Sequence, residues 1–262
     1  MQYYSYFLNI CFMGNLEEIL SENELRSFLD AKHDQYNTSS FIKTDPIQVP
    51  HKFKKKEDIE IISFLTSQIA WGNRKIIIHN AQKLASIMYE NPYEFVLNYK
   101  ETEYERITGF KHRTFNSADL DFFIRSLQNI YMHHGGLENV FTKGYMKDKG
   151  IFASIAYFRE VFLQIEHEKR SEKHIANVLK GSAAKRINLF LMWMIRNDKR
   201  GVHFGLWKDI PSSALMLPLD VHVGKISRML GLLNRKQNDW NTVEEITKKL
   251  KEFDPNDPTK YD

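Results

Sequence analysis

The chain has 262 residues, 27% charged and 42% hydrophobic, with a formal net charge of +4 and a single cysteine, Cys11. This is ordinary globular composition, long enough for a real core and one or two domains, and its mild positive charge permits a polyanionic partner without demanding one. One cysteine rules out a disulfide framework, a cysteine-rich zinc site and a four-cysteine iron–sulfur cluster, and no stretch has the roughly 18 uninterrupted apolar residues of a membrane span.

The first residues, MQYYSYFLNICFMG, are apolar but lack a positive n-region and run into the acidic NLEEILSENEL, a poor signal peptide. Met13 is an alternative start, which makes residues 1–12 an upstream extension. A cytoplasmic setting is expected. The stretch KTDPIQVP, residues 43–50, reads as a loop. Helical stripes then follow one another: Ile77, Ile78, Ala81, Leu84, Ala85 and Met88; Leu120, Phe123, Ile124, Leu127, Ile130 and Tyr131; Phe152, Ile155, Phe158, Phe162 and Ile165; Val243, Ile246, Leu250 and Phe253. Asn91-Pro92 predicts an N-cap with proline at the first helical position, Asn116 or Ser117 caps the helix of Leu120, and Thr242-Val-Glu-Glu245 is a capping box. Loops are predicted near 109–117, 133–136, 143–150 and 197–212. No period-2 segment bounded by turn pairs stands out, so the fold class is all-α. Asp257-Pro258 is a helix start one turn before Asp262, which reads either as a fragment lacking its closing helix or as a frayed tail.

The stretch KGSAAKRINLFLMWM, residues 180–194, poses a question. A short helix over Ser171–Leu179, a glycine turn and a long helix from Ala183 predict a helix–hairpin–helix over residues 172–196. Its cations Lys185 and Arg186 stand in the first turn, where the positive end of the helix dipole disfavours them by about 0.3–1 kcal/mol. A phosphate received by the N–H groups of Gly181, Ser182 and Ala183 reverses that sign. Lys185 shares a face with Asn188, Leu189, Met192 and Arg196, opposite Ile187, Phe190, Leu191 and Met194. It can therefore point into a cleft, although the same spacing suits a solvated lysine on a surface helix. Further on, PLDVHVGKISRMLGLL, residues 218–233, places Asp220 ahead of a helix, where it suits an N-cap.

Taken together, the glycine hairpin with Lys185, the Leu-Asp-Val-His-Val segment around Asp220, and SFLTSQIAWGNRK at 63–75 resemble the helix-hairpin-helix DNA glycosylase superfamily, which includes endonuclease III and the 8-oxoguanine glycosylases. The similarity is greatest to an uncharacterised bacterial family within it, from about Met13 onward. The hairpin Leu179-Lys180-Gly181-Ser182-Ala183-Ala184-Lys185 departs from the superfamily's Leu-Pro-Gly-x-Gly-x-Lys in lacking the proline and the second glycine. The resemblance implies two helical subdomains flanking a cleft. Residues 55–196 would form a helical barrel with the hairpin. Residues 1–54 would pack with a C-terminal subdomain, 205–262. Lys185 would be the amine nucleophile and Asp220 the catalytic carboxylate.

That chemistry is base excision. A damaged base is flipped from duplex DNA, and a neutral lysine amine attacks the sugar C1′ to give a Schiff base. Asp220 would stabilise the charge that develops on the sugar. Gln68 would fill the gap left in the duplex, and Arg186 would join the hairpin on the DNA backbone. Trp71, His203, Phe204 and Trp207 are the base-pocket candidates, though the 201–207 segment suits a satellite hydrophobic cluster equally. No cofactor, no metal and a monomeric enzyme are expected. Two alternatives remain: a non-catalytic helix-hairpin-helix DNA-binding protein, and a nucleobase- or nucleoside-binding enzyme that uses the same cleft.

Overall fold

The computed structural model describes residues 21–262; the expectations for residues 1–12 and for a start at Met13 lie outside the described residues. The fold is all-α. In chain order the helices are α1 (Glu22–Tyr36), α2 (Ser39–Ile42), α3 (Lys56–Gln68), α4 (Arg74–Ile87), α5 (Pro92–Asn98), α6 (Tyr104–Ile107), α7 (Ser117–His133), α8 (Leu137–Tyr145), α9 (Ile151–Phe162), α10 (Lys185–Ile195), α11 (Val221–Met229) and α12 (Trp240–Phe253), joined by short 3₁₀ turns. Two two-residue strands, β1 (Lys111–His112) and β2 (Phe115–Asn116), pair antiparallel in the segment predicted as a loop.

Sequence chemistry sets the helix boundaries. Asn116 caps α7, accepting the Asp119 N–H while the Asp119 side chain returns a bond to the Asn116 N–H. Pro92 opens α5 as predicted. At α12 the cap lies three residues earlier than the sequence suggests. Asp239 receives the Thr242 N–H, and Thr242 stands inside the first turn with its hydroxyl on the Gln237 carbonyl. An aspartate accepts at an N-cap as well as a threonine does, and Trp240 had to be buried, so the earlier start wins.

The main core is built around α3, which is buried from Asp58 to Gln68. Phe64 lies at its centre, with the rings of Phe123, Phe158, Phe162 and Phe190 at 5.5–6.0 Å, so α7, α9 and α10 converge on one aromatic cluster. Gly144 in α8 lets α9 approach closely, since a Cβ there would fall 2.8 Å from the Ser154 Cα. Glu60, also on α3, is buried and accepts from the Tyr131 hydroxyl and from the Trp207 indole N–H, both at 2.7 Å. Burial pushes the Glu60 carboxyl above its ordinary value despite those two donors.

A second, smaller cluster joins Leu25 of α1 to Leu217, Leu230, Leu232 and Leu233 and to Ile246, Leu250 and Phe253 of α12. The partition differs from the sequence boundaries on both sides. Ile47 and Val49 belong to the main core rather than to the C-terminal cluster, and so do Trp207, Ile210, Leu215 and Trp240. The cause is the 3₁₀ turn begun by Asp45-Pro46 and the apolar residues of the 205–215 connection, each of which lies against the barrel. Phe64→Ala is expected to destabilise the fold by about 3–5 kcal/mol, read as a shift in the urea unfolding midpoint with little change in slope.

Candidate active site

The site begins with the unusual start of α10. Residues 169–174 and 178–180 form 3₁₀ turns, not the short α-helix expected over 171–179. Asn177 caps the second turn by accepting the Lys180 N–H, and Gly181 follows in the left-handed region at φ +81°. The α-helix starts at Lys185 rather than at Ala183, because Ala184 is itself left-handed, at φ +49°. A residue with a Cβ pays roughly 1–2 kcal/mol for that conformation. Here the Ala184 side chain is buried in the main core.

This geometry corrects the expected backbone site on the hairpin. The Gly181 N–H donates to the Val178 carbonyl at 2.9 Å and the Ser182 N–H to the Asn177 carbonyl at 3.1 Å, so both are consumed internally. The Gly181 carbonyl accepts the Trp240 N–H at 3.0 Å, and Ser182 bridges to Asp239, which straps the hairpin to the start of α12.

Lys185 reaches Asp220 across the gap between the two clusters. Its Nζ lies 3.6 Å from Asp220 Oδ2, with the side chains 31% and 41% exposed. Asp220 is at the same time the N-cap of α11, its Oδ1 accepting the Val223 N–H at 2.8 Å. The sequence offered these two roles as rivals; in the structure each takes one carboxylate oxygen.

Both residues line a cavity of about 890 Å³, near the upper end of the size range of small-molecule sites. Leu189, Met192 and Arg196 continue the Lys185 face of α10 along its wall. Asn188, assigned to that face, is instead buried with its amide on the Ala183 carbonyl. Three helices begin at the cavity: α4 at Arg74, α10 at Lys185 and α11 at Val221. Their positive dipole ends favour negative charge there.

The other predicted residues divide. Trp71 lines the cavity, with the guanidiniums of Arg186 and Arg113 at 5.3 and 5.5 Å from its ring. Arg186 also lines it and donates to the Gln68 carbonyl at 2.6 Å; burial lowers its pKa to about 10. Gln68 does not reach the surface. It is 1% exposed, its side-chain amide donates to Ser67 Oγ, and only its backbone carbonyl faces Arg186, so it cannot enter a duplex. His203 lines the cavity and accepts from Arg196 at 2.9 Å. Phe204 turns away to pack on the His51 ring at 4.4 Å. Trp207 is 1% exposed in the main core, anchored to Glu60, and is no part of the pocket. The aromatic wall comes instead from Tyr36, Phe41, Trp193 and Tyr261, together with Trp71.

Sequence reasoning missed Asp45 as a cavity residue, and it missed the ion pairs that hold Arg196 in the wall. Asp45 sits in the KTDPIQVP loop, where Asp-Pro signals a turn and nothing more. Arg196 is 2% exposed and makes ion pairs with the neighbouring Asp198 at 2.9 Å and with Asp257, 61 positions on, at 2.8 Å; no local pattern announces the second.

The chain belongs to DUF2400, described as a protein of unknown function. That family matches residues 45–262, a span holding Asp45, Lys185 and Asp220, with α1 outside it. No curated protein and no solved structure matches the chain. Among the described residues no helix is long and apolar enough to cross a membrane, and no cluster of histidine, cysteine, aspartate or glutamate is arranged to hold a metal ion.

The histidines in and behind the cavity carry a pH signature. Burial and the adjacent Arg196 hold His203 down at about 3, and burial holds His174, behind Trp71, at about 4. Both rings are neutral in the folded state, whereas an unfolded histidine takes up its proton near 6.5. Below that value the unfolded chain binds more protons, so stability is complete above about pH 6.5 and falls as the pH drops toward 4. Each ring contributes a slope of at most about 1.4 kcal/mol per pH unit. Urea unfolding between pH 7 and 4 is expected to show this loss, with a shallower dependence in His203→Gln.

Proposed function

We propose that this protein is a DNA base-excision glycosylase with AP-lyase activity, acting through a Schiff base on Lys185. The observation that carries the reading is the amine of Lys185 3.6 Å from the Asp220 carboxylate, both on one large cavity between two helical clusters. An amine beside a fixed carboxylate, at the start of three helices, suits attack on an electrophilic sugar carbon. The carboxylate offsets the cation that forms, and the helix dipoles hold the neighbouring phosphates. The aromatic wall of Trp71, Trp193, Tyr36 and Tyr261 provides faces for a flipped base. Rim cations such as Arg74 suit the DNA backbone.

A second reading takes support from the burial of Gln68 and the internal bonding of Gly181 and Ser182. Without a duplex-filling glutamine and an open hairpin, the same cavity would serve a free nucleobase or nucleoside. Borohydride reduction on a duplex with a pre-formed abasic site decides between them. The first reading expects a covalent protein–DNA adduct, absent in Lys185→Ala and formed about 10²–10³ times more slowly in Asp220→Asn, a variant that keeps an N-cap acceptor. No adduct with the wild-type protein, together with a thermal shift caused by free bases or nucleosides, would overturn the first reading in favour of the second. Salt-sensitive duplex binding without an adduct would leave a DNA-binding module.

A further inference from the structure

The cavity holds a second carboxyl that the Lys185–Asp220 pair does not use. Asp45 precedes the 3₁₀ turn Pro46–Gln48, and its Oδ1 accepts the Ile47 N–H at 2.9 Å. Its Oδ2 makes no hydrogen bond among the described residues, while the residue lines the same cavity as Lys185. The charged groups that face it are Arg74 at the start of α4, Lys185 at the start of α10 and Asp262 beyond the last turn, all on the same cavity.

Asp45 and Asp220 stand in opposed environments. Asp220 is 41% exposed, caps a helix and lies against the Lys185 amine. Asp45 has one backbone donor, and desolvation raises its pKa against the opposing pull of that bond, of Arg74 and of Lys185. Two carboxyls in such different surroundings on one cavity divide into a charge stabiliser and a proton carrier.

We propose that Asp45 is the proton donor for Schiff-base formation at Lys185, a role that rests on the Lys185 reading above. The neutral amine adds to the C1′ aldehyde of an abasic sugar, the C–N bond forms, and the amine's proton passes to oxygen to give a carbinolamine. Asp45 then protonates that hydroxyl, the C–O bond breaks, water departs and the iminium remains, leaving Asp45 as the carboxylate. Asp220 takes no part in this proton transfer.

The test is the borohydride-trapping rate on an abasic-site duplex, followed from pH 5 to 10. The reaction needs a neutral amine and a protonated acid, so the wild-type profile is bell-shaped. In Asp45→Asn, whose side-chain oxygen still accepts the Ile47 N–H, trapping is expected to fall about 10²-fold or more near neutrality, the usual worth of a general acid being about 10²–10⁴-fold. The variant's profile then rises with pH throughout and loses its descending limb. An unchanged thermal midpoint shows that the loss is not one of folding, and Asp45→Glu recovers part of the rate if a carboxyl is what matters. Wild-type-like rate and profile in Asp45→Asn would overturn the proposal while leaving Lys185 intact. No adduct with the wild-type protein would sink the parent reading instead.

Discussion

Asp220 is the point on which the site depends, because its two oxygens face two different structures. One closes the first turn of α11 through the Val223 N–H, and the other meets the amine of Lys185 from α10. The ion pair does little for stability: half-exposed pairs are worth about 0–1 kcal/mol. The N-cap bond matters more for geometry. It fixes the carboxylate by a short, directional contact to rigid backbone, so Asp220 holds its place whether or not Lys185 is charged. A group held by local structure and aimed at a distant partner is pre-organised, which is what electrostatic stabilisation of a developing charge requires.

The walls around that pair are kept in place by buried polar networks. Arg196, at the far end of α10, ties Asp198 and Asp257 to His203, and Asn37 of the N-terminal segment joins through Asp198. Lys260 bonds Asp30 of α1 as well as Asp254. These contacts bring the turn after α1, the 196–203 connection and the C-terminal turns together around the cavity. Glu60 does the corresponding work on the other side of α10, where it fastens the 205–215 connection to α3 through Trp207. Removing one partner from such a network leaves a charge buried and uncompensated, a large cost compared with the modest gain of forming the pair. The networks therefore specify one arrangement of the walls more than they add to stability.

The all-α fold was legible because its stripes are periodic and long. The four apolar runs fall in helices except at two ends, where Met88 is the C-cap of α4 and Ile165 lies past the end of α9; Phe123, Ile155 and Ile246 are wholly buried. The pairing of Lys185 with Asp220 came from the resemblance; spacing alone suited a surface lysine and an ordinary cap. What misled was short-range reading of isolated polar and aromatic residues. Gln68 looks like any helix polar residue, yet α3 is enclosed on all sides and takes it inward. The 201–207 segment holds three aromatic or histidine side chains that the chain sends three ways: His203 to the cavity, Phe204 to His51, and Trp207 to Glu60. Composition reveals that such a loop has rings to place, but the partners that place Phe204 and Trp207, His51 and Glu60, lie far away in sequence.

The start of α10 shows how the departures from the hairpin pattern are absorbed. With alanine where a second glycine would stand, the chain still takes a left-handed conformation one residue before Lys185, at Ala184. A strained backbone persists only where its surroundings over-determine it. Here the Ala184 side chain is locked in the main core, its N–H is taken by Ser182 Oγ at 3.2 Å, and the turn before it is strapped to α12 through the Gly181 carbonyl. The result is an abrupt helix start whose first residue is Lys185, with no side chain capping the turn. A gentler entry would begin the helix earlier and rotate the lysine along its face. The strain at Ala184 thus fixes both where the helix dipole begins and where the amine points, and the cations that looked misplaced in the first turn stand at the wall of the cavity because of it.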